Sequence, residues 1–444
     1  MKRPLILHWL GRCAALGLLL GLAPAAGAQT RLSLPEAIRL GLSTRYDAQA
    51  NALNVALAET SVRQTRDAWR PELSLTGDVR YNTQLQQTVL PAGFGPTTER
   101  QRVALGAKNN TILSLSLSQP LYQPGLHTDT QVADNTRRLE IEKNAQQQTD
   151  RKVQIAEAYL NVLLKELQQT TAQAEEQRYQ RYLALAEGQL RLGTLLPNDR
   201  LRAQVDYDNA RLATQQAAQR YQLSLTTLRY RLNLPPGTAL ALTDHLEADQ
   251  VTSYVFDSTA APAERPEIRQ VRLRQEGYRL QTQRVRDGLK PTVSLYANYS
   301  TQFLGANFNY LSDNWGPYNY VGVRFALPLT AQFRKQADLQ AYELHARQAA
   351  LDLQQTQADV AYEAQQAQTE LANAARNLQR TAATLALVRQ LAQTQQQTYR
   401  LGAVLYATVL DAEKTAQQAE QNHLEAAYSY LVAKLSYAKA TGSF

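Results

Sequence analysis

Apolar residues recur with a helical period from Leu34 to Ala68, with Ser33 placed as an N-cap and Pro35 in the first turn, and Pro71 ends the run. From Leu73 the period becomes two: Leu73, Leu75, Gly77, Val79 and Tyr81 fall on one face, and Ser74, Thr76, Asp78 and Arg80 on the other. This predicts a strand over about 73–81. A polar, Gly/Pro-bearing stretch over 82–110 reads as a loop. Then "ILSLSLSQP" sets Leu113, Leu115 and Leu117 against Ser114, Ser116 and Ser118, a second strand over about 111–119 that Pro120 closes. Past Pro124-Gly125 no helix breaker occurs until Gly188 and Gly193. Some 65 residues therefore predict one helix roughly 100 Å long. "RLGTLLPND" (Arg191 to Asp199) interrupts it, and a return helix of about 35 residues runs to Leu232, ahead of Pro235-Pro236-Gly237.

The same plan then recurs. "DAWRPELSLTG" from Asp67 is answered by "DGLKPTVSLYA" from Asp287. A helix over 266–288 meets Pro291, and a strand over about 292–301 alternates through Val293, Leu295, Ala297 and Tyr299. After an aromatic loop, a strand over about 319–327 carries Val321, Val323, Phe325 and Leu327 and stops at Pro328. A breaker-free helix extends from about Phe333 to Tyr399, "RLGAVLYAT" interrupts it, and a final helix reaches about Lys439. Pro71 matches Pro291, Pro120 matches Pro328 and Arg191-Leu192-Gly193 matches Arg400-Leu401-Gly402, at offsets of 220, 208 and 209. That is a tandem duplication: a first repeat over 29–235, a linker over 236–263 and a second repeat over 264–444.

Composition narrows what such rods can be. The chain of 444 residues holds seven Phe, three Trp and one Met, and Gln and Ala crowd the helical stretches, which predicts mostly wetted helices with narrow apolar seams rather than large cores. Residues 1–28 carry Lys2, Arg3 and Arg12, the apolar run "AALGLLLGLAPAA" and a small-residue site at Ala26-Gly27-Ala28, a secretory signal peptide. Arg12 precedes Cys13 and the apolar core follows it, which argues against a lipid anchor there, and no cysteine occurs later. Without the signal the formal charge falls from +8 to +5. No Lys/Arg run or basic-aromatic patch points to nucleic acid, and no later window is apolar enough for a transmembrane helix.

The strands have the length and the apolar/polar alternation of a membrane barrel with a wet interior, although a soluble sandwich would show the same alternation. Aromatic residues near the strand ends favour the barrel, with Trp69, Tyr81, Tyr296, Trp315 and Tyr320 placed as membrane-interface residues. Four strands cannot close a barrel, and open edges in lipid leave backbone groups unpaired, so copies must share one; three copies supply twelve strands. Ile155, Tyr159, Val162, Leu163 and Leu167 form a lateral stripe suited to the wall of a hollow tube, and equally to an ordinary coiled coil.

With "RPEIRQVRL" (Arg265 to Leu273), "AEAYLNVL" (Ala156 to Leu163), "LNLPPGTAL" (Leu232 to Leu240) and the two helix interruptions "RLGTLLPNDRLRAQ" and "RLGAVLYATVLDAE", the chain resembles the TolC family of outer-membrane efflux proteins over essentially its whole mature length. The resemblance implies a mainly α fold with a small β part. It implies a homotrimer whose shared 12-stranded β-barrel sits in outer-membrane lipid and continues as a long periplasmic α-helical barrel. It also implies partners, a periplasmic adaptor protein and an inner-membrane transporter. By the same resemblance Gly193, Leu195, Leu196, Gly402, Val404 and Leu405 form adaptor-contacting tips, and Asp199 and Tyr399, with Arg400 or Arg200 as a substitute partner, form a tip latch. Thr408 and Asp411 match the constriction, where the family often carries two acidic residues three apart; only Asp411 is acidic here.

The expected function is a passive outer-membrane exit duct of a tripartite efflux or type I secretion system; the alternative is a periplasmic coiled-coil scaffold or adaptor without a pore. His127, His245, His345 and His423 lack metal-ligand spacing, and neither a phosphate-binding loop nor a nucleophile elbow occurs. No enzymatic activity, cofactor or metal is expected.

Overall fold

The computed structural model describes residues 30–91, 93, 100–245, 264–401 and 403–444. The signal peptide over 1–28, most of the 236–263 linker and Gly402 lie outside the described residues. In chain order the elements are β1 (Thr30–Leu32), α1 (Leu34–Thr44), α2 (Tyr46–Asp67), β2 (Glu72–Tyr81), β3 (Gln87–Leu90), β4 (Gln101–Ala104), β5 (Asn109–Tyr122), α3 (Pro124–Arg191), α4 (Pro197–Arg231), β6 (Leu240–Leu242), α5 (Pro266–Asp287), β7 (Thr292–Gly305), β8 (Trp315–Ala326), α6 (Ala331–Arg400) and α7 (Tyr406–Ala440). They divide into two compact units: the residues up to Gly41 with Ile155–Gln250, and Leu42–Gln154 with Val251–Phe444.

In the first unit β1 runs parallel to β6, and α3 from Ile155 onward buries Ile155, Ala156, Tyr159, Leu160, Val162 and Leu163, four members of the predicted lateral stripe among them. Tyr159 is wholly buried and its hydroxyl donates to Leu32 O at 3.0 Å and to Asp244 Oδ2 at 2.8 Å, so a core aromatic also fastens the short sheet to the helix. Gly41 permits the close approach of α1: a Cβ there would stand 2.4 Å from Ile155 Cδ1 and 3.3 Å from Leu232 Cδ2. Ser33 donates its N–H and its hydroxyl to Glu36 at 2.9 and 2.8 Å, the reciprocal half of a capping box, and the backbone bond holds the Glu36 carboxyl below its usual range.

In the second unit β2-β5-β7-β8 form one antiparallel sheet. The part of α3 up to Gln154, α5, α6 and α7 are cross-tied by ion pairs. Arg265, nearly buried, forks between Glu267 and Glu363; Arg269 pairs with Glu142 at 2.7 Å, and Lys439 with Asp150 at 2.7 Å. Burial opposes the charge on Arg265, but its hydrogen bonds to Glu267 and Glu363 outweigh that and raise its pKa.

Three details differ from the sequence reading. The helix predicted over 34–68 breaks at Arg45, whose φ of −69° and ψ of 131° are extended. Its guanidinium reaches back to Asp47 at 2.8 Å in the first turn of α2. That hydrogen bond, with Arg151 beyond it, holds Asp47 at a pKa of about 2. The loop over 82–110 contains the β3–β4 hairpin, whose four-residue strands are too short to show a period. β5 also continues past Pro120 to Tyr122, with a register shift between them that absorbs the missing N–H.

Candidate functional site: a two-faced sheet and two helix-pair tips

The register of the sheet fixes its faces. Leu73, Leu117, Ala297 and Val321 stand in one row across the four strands, and Leu75, Leu115 and Tyr299 in the next. Leu295 pairs with Val323 and Val293 with Phe325 on the same face. Leu73, Leu75, Val79, Leu113, Leu115, Tyr299, Val321, Val323 and Phe325 are all exposed in the single chain. The opposite face is polar and internally bonded. Ser114 and Ser300 hydroxyls meet at 2.7 Å, Asn298 Nδ2 donates to Ser116 Oγ at 2.9 Å, and Gln302 Nε2 donates to Asn110 Oδ1 at 2.9 Å. Among the described residues β2 pairs only with β5 and β8 only with β7, so the sheet they form has two open edges and does not close on itself.

Tyr81 and Trp315 lie at the end of the sheet remote from the helices, and Trp69 at the helix end. Roughly 26 Å of strand separates Leu73 from Tyr81, the height of a barrel's apolar band. Tyr81 stacks on Phe308 at 5.7 Å, and Trp315 packs on Phe303 at 5.4 Å while donating to Tyr310 O at 2.9 Å. Trp69 O accepts from Gln119 Nε2 at 2.7 Å. Tyr296 and Tyr320 are placed otherwise: both fall on the serine-bearing face, because alternation puts the even positions of β7 and β8 there. Tyr296 lies across Gly322, with the Arg324 guanidinium 5.0 Å from its ring.

The two helix interruptions close in the same way. At the end of α3, Thr194 N donates to Gln189 O and Gly193 N to Leu190 O, both at 3.0 Å, with Gly193 at φ +73°, a Schellman closure that only a residue tolerant of positive φ can complete. After α6, Ala403 N donates to Thr398 O at 3.1 Å, the matching long bond. Leu196 and Leu405 then take nearly identical extended conformations as N-caps of α4 and α7. Leu196 and Leu405 are exposed, while Leu195 and Val404 are half-buried. Leu192 and Leu401, which the motif reading passed over because they precede the glycines, are the most exposed apolar residues of the tips at 79% and 84%.

Asp199, in the first turn of α4, is half-buried and belongs to the first unit; Tyr399 is half-buried and Arg400 exposed at the end of α6, in the second. Arg200, weighed as a substitute latch, is engaged within its own helix pair, with Glu187 at 3.2 Å. Thr408 and Asp411 are both exposed and share a face of α7, continued by Thr415, Gln418 and Asn422. The face toward α6 is buried, where Ala412 and Ala416 pack on Ala392, and Gln396 donates to Glu413.

Two long helices also carry exposed apolar lines. Phe333, Leu344, Leu351, Tyr362 and Leu387 on α6 are separated by 11, 7, 11 and 25 residues, and on α4 Leu201, Val205, Leu212, Leu223 and Tyr230 follow the same spacing logic. At 3.6 residues per turn each set stays within about 40° of one line parallel to the helix axis. A strict heptad would drift and force a left-handed supercoil; alternating 7 and 11 leaves the helices straight.

Among the described residues no helix is long and apolar enough to cross a membrane. Comparison with solved structures finds the same fold repeatedly. CusC matches with a TM-score of 0.74 at 20% identity, covering 92% of this chain and 91% of that one. The open-state MtrE outer membrane channel of Neisseria gonorrhoeae matches at 0.74 and 15% identity, covering 92% and 88%. VceC, an outer membrane protein of Vibrio cholerae, matches at 0.70 and 16%, covering 92% and 96%. No curated protein sequence matches significantly. The sequence model of the outer membrane efflux protein family matches residues 37–233 and 258–443, one segment in each repeat, which disfavours the pore-free periplasmic scaffold. With its two-faced sheet, its paired helix turns and that match over most of its length, the chain belongs to the outer membrane efflux protein family.

Proposed function

We propose that three copies assemble into one outer-membrane exit duct, fed by an inner-membrane pump through a periplasmic adaptor. The observation that carries this reading is the sheet: one face predominantly apolar and largely exposed, the other a bonded polar ladder, and both edges open among the described residues. In lipid each open edge would leave unpaired backbone groups costing several kcal/mol apiece, which pairing between copies removes. Twelve strands then enclose a lumen on the side of Ser114, Ser116 and Asn298. The straight apolar lines on α4 and α6 support lateral packing of helices between copies, as the wall of a tube requires. The exposed leucines of the tips support docking of the adaptor there, and the polar stripe of Thr408 and Asp411 supports a constriction whose three carboxylates favour cations.

Planar-bilayer recording on the purified detergent-solubilised protein, with native mass spectrometry of the same sample, tests it. The expected result is a trimer that opens discrete conductances. A monomer that gives no channels and stays soluble without detergent refutes it.

A further inference from the structure

The end of the sheet that joins the helices carries an excess of cations. Around the four strand ends stand Arg66, Arg70, Arg284, Arg286, Lys290, Arg334 and Lys335 against Asp67, Glu72, Asp129, Asp287 and Asp338. Arg70 pairs with Asp67 at 3.1 Å, Lys290 with Asp287 at 2.7 Å, and Arg286 reaches Glu343 at 3.5 Å. Among the described residues no carboxylate pairs with Arg66, Arg334 or Lys335. The latter two stand near the start of α6, where the helix dipole already disfavours a cation, and no acidic residue in its first turn offsets them. Lys335 is also positioned rather than loose: its ammonium lies 2.7 Å from where a Cβ on Gly288 would be, in the turn between α5 and β7. At the opposite end of the sheet the Arg80 charge is met by Asp78 at 3.4 Å, and Arg102 and Lys108 stand there as further cations.

Large apolar groups accompany these cations. Leu121, Tyr122, Leu327, Leu329 and Phe333 are exposed at the same level, Phe333 next to Arg334 in sequence, and Trp69 lies one helical turn past Arg66. Rings that can enter an acyl boundary, beside guanidinium and ammonium groups that can reach a phosphate, match the surface of an anionic bilayer leaflet better than that of a soluble polyanion.

We propose that this collar binds the headgroups of anionic phospholipids in the leaflet facing the helices, with Arg66, Arg334 and Lys335 as the phosphate ligands. The proposal rests on the reading of the sheet as membrane-spanning. It adds a preference among lipids that an apolar band alone does not confer.

The test uses the full-length protein in phosphatidylcholine nanodiscs doped with spin-labelled phosphatidylglycerol or spin-labelled phosphatidylcholine, comparing how strongly each label is immobilised at the protein surface. One cation near an anionic surface is worth a factor of about five, so three should give the acidic lipid an advantage of at least about tenfold at low salt, shrinking as salt screens it. The triple variant Arg66→Gln/Arg334→Gln/Lys335→Gln should bring that ratio close to one. The charge-keeping triple Arg66→Lys/Arg334→Lys/Lys335→Arg should retain it, as should Arg80→Gln/Arg102→Gln/Lys108→Gln at the far end. Inorganic phosphate should compete no better than chloride of equal ionic strength. A wild-type ratio near one overturns the proposal, as does equal loss in the far-end triple. So does a glutamine triple that alters the oligomer while keeping the lipid preference, because the cations would then face a neighbouring copy. Immobilisation of neither label would instead refute the membrane reading itself.

Discussion

Leu75 and Thr76 are adjacent in β2, yet the register sends them to opposite faces, and an arginine at each position separates the barrel from any soluble sheet. Leu75 lies in the row of Leu115 and Tyr299, and Thr76 in the row of Ser114, Ser300 and Tyr318. β2 covers residues 72–81, so both positions lie within about two residues of its middle, close to the centre of the apolar band. A guanidinium on the lipid side at that depth costs about 2–4 kcal/mol, whereas on a polar lumen face it costs little. Leu75→Arg should therefore lower folded, membrane-inserted protein by about 30-fold to 1000-fold in equilibrium relative to Thr76→Arg. Urea-dependent folding into large unilamellar vesicles, followed by protease protection and by the mobility of the folded band without heating, measures both. Equal penalties at the two positions, or a larger one for Thr76→Arg, would falsify the assignment of faces.

Three further outcomes follow from single contacts. Gly193→Val must place a β-branched residue at φ +73°, a cost of about 1–2 kcal/mol, and should raise hydrogen exchange at Leu192, Gly193 and Thr194 while leaving the sheet unchanged. Gly41→Ala should destabilise by about 1–3 kcal/mol, less about 1 kcal/mol regained in helix propensity, and should be close to neutral in an Ile155→Val background; identical costs in both backgrounds would contradict the close contact at Cδ1. Asp287, whose side chain is only 6% exposed, accepts hydrogen bonds from Thr128 and Gln283 and pairs with Lys290. Burial opposes its charge, but these partners prevail and lower its pKa below 3.8, so its contribution is present above that value and fades as pH falls through the lower, folded one. Asp287→Asn should cost about 1–3 kcal/mol at pH 7, a difference from wild type that narrows below about pH 4 in denaturant melts.

The elements with long periods were legible in the sequence. α3 and α6 are legible within two residues of their ends, because nothing but Gly and Pro interrupts so uniform a Gln/Ala background, and the four main strands are legible because apolar and polar or small residues alternate, leucine with serine in β2 and β5 and valine with glycine or arginine in β8. Short or compensated features were not. The break at Arg45 depends on a guanidinium turning back to Asp47, and the β3–β4 hairpin on pairing between two strands of four residues. Of the candidate site, the glycine turn at 193 was readable from its type and place. The side on which Tyr296 and Tyr320 fall is readable too, by counting even positions, because parity along a strand fixes a side chain's face and nearness to a strand end does not. The engagement of Arg200 with Glu187 joins residues 13 apart across a turn, which no periodic pattern displays.

Duplication explains why the tips agree in backbone and differ in side chains. The long closing bond, the extended leucine N-cap and the exposed leucine pair recur at matching positions, since a turn between antiparallel helices admits few solutions and any change to it is strained. The crossing contacts just above the turns are free to diverge. In the first repeat Glu187 meets Arg200, which also contacts Gln204, both outside the core. In the second the corresponding residues are Gln396, Val409 and Glu413, and the bond that remains joins an amide to a buried carboxylate. The first arrangement is an exposed ion pair that salt screens, worth at most about 1 kcal/mol; the second is a charge-assisted hydrogen bond in a water-poor site, of the kind worth about 1.5–3 kcal/mol. At the crossing just above each turn, then, one repeat carries a contact that ionic strength loosens and the other a contact that it loosens less, while the exposed Arg389–Glu420 pair farther along α6 and α7 stays open to screening, with no change in the fold that carries them.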